Sequence, residues 1–173
     1  MTKLDLIQFY GDILKKISKL IILDPARKLY YLDLESKLKI EKCLKEKKTS
    51  MRSVDLSNLA LTILSHADEM FWFKSINLSN NNLTELSNGH YLYCIELLIL
   101  NNNRIKSCDK LYNLKQLAIL DLSNNCISCV DDLRTLSSCP KLQTLFLKNN
   151  PISLIPDYEN LVKNILPQVK FFN

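Results

Sequence analysis

Glycine is almost missing from this sequence. Its 173 residues include two, Gly11 and Gly89. Loops that cradle phosphate through close backbone approach need several glycines, and so do the tight turns of an antiparallel barrel. Long apolar runs are missing as well. The longest aliphatic stretches, such as residues 20–23 and 97–100, are four residues, against the roughly 20 that a membrane-spanning helix needs. The opening stretch MTKLDLIQFYGDILKKISKL is interrupted by Asp5, Asp12, Lys15 and Lys16, so it offers no continuous apolar segment of the kind a secretion signal carries. The expectation is a soluble cytoplasmic protein without a membrane span. Six cysteines, Cys43, Cys94, Cys108, Cys126, Cys129 and Cys139, show no small-scaffold disulfide spacing, and in that compartment they stay reduced.

Catalytic signatures are equally scarce. There is no Gly-x-Ser-x-Gly elbow, phosphate loop or paired-carboxylate motif. Cys126 and Cys129 form a single C-x-x-C pair without the two further ligands that structural zinc needs. His66 and His90 have no visible partner for acid–base work. Asp131-Asp132 and Asp68-Glu69 suit the first turns of short connecting helices, where acids meet the positive end of the helix dipole. The expectation is a chain with no catalytic residue, no metal and no cofactor of its own. Net charge is +5, but residues 1–50 hold 12 Lys/Arg against 7 Asp/Glu, and residues 51–173 hold 11 of each. The basic excess therefore sits in the first 50 residues, where Glu35, Glu41 and Glu46 interrupt the lysines. Nucleic-acid binders concentrate positive charge on the binding face, so no nucleic-acid partner is expected.

What the chain does have is a repeat. The pattern L-x-x-L-x-L-x-x-N-x-L begins at Met51 (MRSVDLSNLAL), Phe73 (FKSINLSNNNL), Ile95 (IELLILNNNRI), Leu117 (LAILDLSNNCI) and Leu142 (LQTLFLKNNPI), at intervals of 22, 22, 22 and 25 residues. This is a leucine-rich repeat. Alternation of apolar and polar residues places one short strand in each copy. The first, fourth, sixth, ninth and eleventh positions point inward. Asn81, Asn103, Asn125 and Asn150 occupy the ninth position, where a buried amide can bond the backbone of the turn and form a ladder. The first copy has Leu59 there instead. No single repeat can bury its own apolar face, so neighbours must stack. The fold expected is an α/β leucine-rich-repeat solenoid of five repeats with a parallel sheet on its concave face.

Both ends of such a stack need covering. Residues 4–21 carry a helical apolar stripe (Ile13, Leu14, Ile17, Leu20, Ile21), and Asp24-Pro25 reads as the start of a second helix reaching Lys47. Residues 1–48 are thus predicted to form an α-helical hairpin cap, and residues 49–173 the repeat domain. At the far end the sequence predicts a helix over residues 157–165, stopped near Pro167, with Val169 and Phe171 closing the last edge.

The third and fifth positions of each repeat face the concave solvent side. They are Ser53/Asp55, Ser75/Asn77, Leu97/Ile99, Ile119/Asp121 and Thr144/Phe146. Leu97, Ile99, Ile119 and Phe146 therefore cluster over repeats three to five. An exposed apolar patch with a polar rim is the usual mark of a contact surface, and these four residues are the candidate protein-contact site.

Two flanking stretches resemble a known family. LDPARKLYYLDLESKLKIEKCL (residues 23–44), with Asp24, Pro25, Arg27, Tyr31, Asp33 and Leu34, is similar to the last helix of the alpha subunit of Rab geranylgeranyltransferase. CPKLQTLFLKNNPI (residues 139–152), followed by a helix and LPQV (residues 166–169), resembles the end of the same subunit. The resemblance implies the last helical pair and the repeats of a non-catalytic subunit in a prenyltransferase complex. Its partners would be a prenyltransferase beta subunit, which holds the zinc, and a Rab escort protein presenting a Rab GTPase. The alternative is an unrelated intracellular repeat adaptor of the spliceosomal or dynein-associated type, and a spliceosomal role predicts affinity for an RNA-binding partner domain.

Overall fold

In the computed structural model the described residues are Ser36, 38–40, 52–64, Ala67 and 70–172, with residues 171 and 172 described by backbone alone. The predicted helix over residues 4–21, the Asp24-Pro25 start, most of the second cap helix, His66 and Asp68-Glu69 lie outside them.

Six short strands, β1 (Ser53–Asp55), β2 (Ser75–Asn77), β3 (Leu97–Ile99), β4 (Ile119–Asp121), β5 (Thr144–Phe146) and β6 (Phe171–Phe172), form one sheet in chain order. Every neighbouring pair is parallel. Parallel neighbours need a crossover rather than a hairpin, and the repeat supplies it by carrying the chain behind the sheet and back. The register is one repeat period, Val54 opposite Ile76, then Leu98, Leu120 and Leu145. These five central residues are buried, and the residues on either side of each face the open side. That is period-two alternation expressed in three residues. The fold is the predicted leucine-rich-repeat solenoid. Its one addition is β6, whose two residues lengthen the sheet beyond the five repeat strands.

Behind the sheet the connections are tight 3-10 turns, at Gly89–Tyr91, Val130–Ser138 and Pro151–Leu154. A turn with three residues per revolution is tighter than an α-helix and is used in short pieces, as in these connectors. Asp131 and Asp132 sit in the first turn at Val130–Ser138, and the Asp132 carboxylate accepts the Cys129 N–H at 3.0 Å. Gly89 meets a geometric demand. A Cβ there would lie 2.9 Å from both the Lys110 carbonyl oxygen and Leu111 Cδ2.

Leucine and isoleucine fill one continuous core from Ile40 and Val54 to Leu166 and Val169. At its first end, helical Ser36 and Ile40 are buried, and Ser36 Oγ accepts the Thr62 N–H at 3.4 Å. At the other end α1 (Tyr158–Ile165) buries Val162, followed by Leu166 and Val169. Gln168 Nε2 ties this cap to the Leu136 carbonyl at 3.1 Å.

Two asparagine series hold the turns after the strands. The buried series is Asn81, Asn103, Asn125 and Asn150. Asn103 is representative. Its Oδ1 accepts the Leu83 N–H at 3.0 Å, and its Nδ2 donates to the carbonyls of Leu78 (3.0 Å) and Leu100 (2.9 Å). Each rung thus bridges its own repeat to the one before it and pairs groups that would otherwise be buried unbonded. The second series, Asn58, Asn80, Asn102, Asn124 and Asn149, is exposed, and all five have φ between 54° and 59°. Asparagine tolerates this left-handed conformation better than other residues with a Cβ. That is how the chain turns sharply five times without glycine.

Candidate protein-contact surface

The concave face is built from the ten side chains that flank the buried centres of β1–β5. Parallel pairing sets Leu97 beside Ile119, Ile99 beside Asp121, and Asp121 beside Phe146. Leu97, Ile99, Ile119 and Phe146 are therefore brought together on three adjacent strands, with Asp121 between Ile99 and Phe146. Leu97, Ile99 and Phe146 are half-buried, and Ile119 is exposed at 37%. Ser53, Asp55, Ser75 and Asn77 form the polar half of the face on β1 and β2.

All three polar fifth positions have a local task that the repeat pattern alone did not reveal. Asp55, Asn77 and Asp121 each accept the N–H of the residue two places on, from Ser57 (3.0 Å), Ser79 (3.0 Å) and Ser123 (2.9 Å). These are Asx turns, which set the chain into the left-handed asparagine that follows. The signal was present as D/N-L-S-N in three repeats. Ile99 and Phe146 replace this residue in repeats three and five, so there an apolar side chain stands in place of a turn-forming one.

The other candidates are dispersed. His90 stacks on Tyr112, one repeat away, with ring centroids 5.2 Å apart, and packs against Tyr91. Phe71 and Tyr93 form a neighbouring exposed pair 6.1 Å apart. Cys94, Cys126 and Cys129 are exposed, whereas Cys108 and Cys139 are buried. Burial pushes the Cys108 thiol far above the ordinary range, and the nearby charges of Asp132 and Asp109 act in the same direction. The Cys139 thiol is also raised, first by burial. Protonated thiols are poor nucleophiles. Among the described residues, no group of three or more His, Cys, Asp or Glu could hold a metal ion, and no helix is long and apolar enough to cross a membrane.

The sequence matches the leucine-rich repeat family over residues 37–173. No curated protein matches the chain. Among solved structures, a chain of the Drosophila melanogaster SNF/U2A' complex is 30% identical, with a TM-score of 0.64, and the alignment covers 69% of this chain and 71% of that one. Two internalins from Listeria monocytogenes are also similar. Internalin inlF is 25% identical at a TM-score of 0.54, covering 65% of this chain and 31% of that one. Internalin C2 is 24% identical at a TM-score of 0.59, covering 70% and 50%, and bears on the fold alone.

These matches correct the prenyltransferase reading. They point to a leucine-rich-repeat chain similar to one in the SNF/U2A' complex and not to the alpha subunit of Rab geranylgeranyltransferase. The beta-subunit and Rab-escort partners, and the zinc expected in that beta subunit, lose their basis with it. The reason is physical. The stretch over residues 139–152 is what any repeat of this kind must look like, because strand alternation and the buried asparagine dictate it. The more distinctive residues, Asp24 to Leu34, lie outside the described part of the chain. Stacked parallel strands, the buried asparagine ladder and a family match over residues 37–173 lead to one conclusion: this chain belongs to the leucine-rich repeat family.

Proposed function

We propose that the chain is a protein-binding adaptor of the spliceosomal type, holding a partner protein on its concave face over repeats three to five. The observation that carries this reading is the contiguity of Leu97, Ile99, Ile119 and Phe146 on three paired strands, where the other two repeats present polar groups. Strand register holds these side chains in place, so little conformational freedom is lost when a partner covers them. The similarity to a chain from the SNF/U2A' complex supports a role within a protein assembly. The apolar atoms supply affinity by leaving water, and the polar half of the face and its rim set orientation.

The test is co-precipitation from the native source with the full chain as bait, run in parallel with Phe146→Asp. The expected result is a splicing protein with an RNA-binding domain that is retained by the wild type and lost by Phe146→Asp, with both baits melting at the same temperature. Retention of that protein by Phe146→Asp, or recovery of no splicing component by the wild type, would refute the proposal.

A further inference from the structure

The charge of the concave face differs from that of the chain. The protein carries +5 overall. Yet the ten side chains that form the face include two ionisable groups, Asp55 and Asp121, and both are acids. The basic side chains near it stand off the face. Arg52, Lys74 and Lys170 immediately precede β1, β2 and β6 on one margin, with Lys74 paired to Glu96, and Lys148, beyond the end of β5, is exposed on the opposite margin.

Asp121 is placed where its charge matters most. It lies between Ile99 and Phe146 in the register, within the apolar patch. Its Oδ1 accepts both the N–H (2.9 Å) and the hydroxyl (2.7 Å) of Ser123. Those bonds orient the carboxylate without neutralising it, and among the described residues no ion pair forms with Asp121. When a partner covers the patch, this carboxylate loses water. A half-buried acid that is desolvated without a counter-charge opposes binding, and one that meets a cation favours it. An acid at this point thus selects among partners that are equally apolar.

We infer that the occupant of the concave face is a partner-protein element that carries a lysine or arginine inside its apolar contact patch, with the cation seated over Asp121 between Ile99 and Phe146. This rests on the adaptor reading given above and adds the charge that the partner must bring. Nucleic acid is the wrong sign for this patch, since a phosphate seated between Ile99 and Phe146 would meet the Asp121 carboxylate.

A substitution that separates charge from shape already exists within the fold. Asn77 occupies the same repeat position as Asp121, and its Oδ1 accepts the Ser79 N–H at 3.0 Å. Asp121→Asn therefore keeps the turn and removes only the charge. The probe is a random 16-residue peptide library displayed on phage and panned against the full chain, against Asp121→Asn and against Phe146→Asp. The expected outcome on wild type is enrichment of peptides with Lys or Arg next to apolar residues. Their binding weakens about five- to tenfold in Asp121→Asn and as salt rises, and it disappears in Phe146→Asp. Peptides that need Phe146 but show no basic enrichment and bind Asp121→Asn equally would overturn this inference and leave the adaptor reading standing. Peptides indifferent to Phe146→Asp would overturn both, and failure to select any peptide would overturn this inference.

Discussion

Removing one buried asparagine should cost more at the ends of the ladder than in its middle, and the hydrogen bonds say by how much. Asn→Ala at Asn81, Asn103, Asn125 or Asn150 removes the same atoms each time, so the lost packing is nearly common to all four. The difference lies in which backbone groups are left unbonded. When Asn103 goes, the Leu83 N–H loses its partner, but the Leu78 carbonyl keeps Asn81 and the Leu100 carbonyl keeps Asn125. Asn125 behaves the same way. The Ile105 N–H is orphaned, and the carbonyls of Leu100 and Leu122 keep Asn103 and Asn150. Asn81 has no rung before it. Its loss strands the N–H groups of Leu59 and Leu61 and the Leu56 carbonyl. Asn150 has no rung after it, and its loss strands the Ile127 N–H and the Leu147 carbonyl.

One unsatisfied buried group costs about 1–3 kcal/mol. The inner rungs should therefore lose about that much, Asn150 roughly twice as much and Asn81 roughly two to three times as much by the same rule. Urea unfolding gives the comparison. It is followed by the fluorescence of Trp72, which is the sole tryptophan and stacks on Phe73, and by far-ultraviolet circular dichroism. Coincidence of the two probes checks that the stack unfolds as one unit, which repeat arrays do not always do. Losses in Asn103→Ala and Asn125→Ala equal to or larger than those in Asn81→Ala and Asn150→Ala would refute the sharing of carbonyls between rungs.

Three other predictions follow from the packing. Gly89→Ala places a methyl group 2.9 Å from a backbone carbonyl that cannot swing aside, so stability should fall by about 1–3 kcal/mol; an unchanged urea midpoint would show that repeats two and three pack more loosely than described. Native-state alkylation mapped by mass spectrometry should modify Cys94, Cys126 and Cys129 promptly and Cys108 and Cys139 only on unfolding. Because burial raises the Cys108 and Cys139 thiols, the folded state keeps their protons at pH values where the unfolded chain releases them. Their contribution is fully present below the unfolded thiol value of about 9 and is lost as pH rises above it. The urea midpoint should then drop more steeply between pH 8 and pH 10 in wild type than in Cys108→Ala, and identical slopes would contradict this assignment.

Whatever depends on the repeat period was legible from residue order. The spacing of leucines placed the centres of β1–β5, because side chains alternate between the two faces of a strand and the 22- to 25-residue period repeats the same inward position in every copy. The same spacing located the concave side chains Leu97, Ile99, Ile119 and Phe146 and the asparagines of the inner turn. Other features depended on groups far apart in the chain. Residues 171–172 read as an edge closure, and they become β6 only because β5 presents an open edge beside them. The return at Val130–Ser138 has the acidic start, Asp131 and Asp132, that suited a helix in sequence, and it folds as a 3-10 helix once it is packed behind the sheet. The position of Asp121 among apolar neighbours on two other strands is likewise a property of the register, since Ile99 lies 22 residues before it and Phe146 lies 25 after it. Local alternation decides which side of a strand a residue faces. Only stacking decides which residues stand beside it, and that neighbourhood determines what the face can bind.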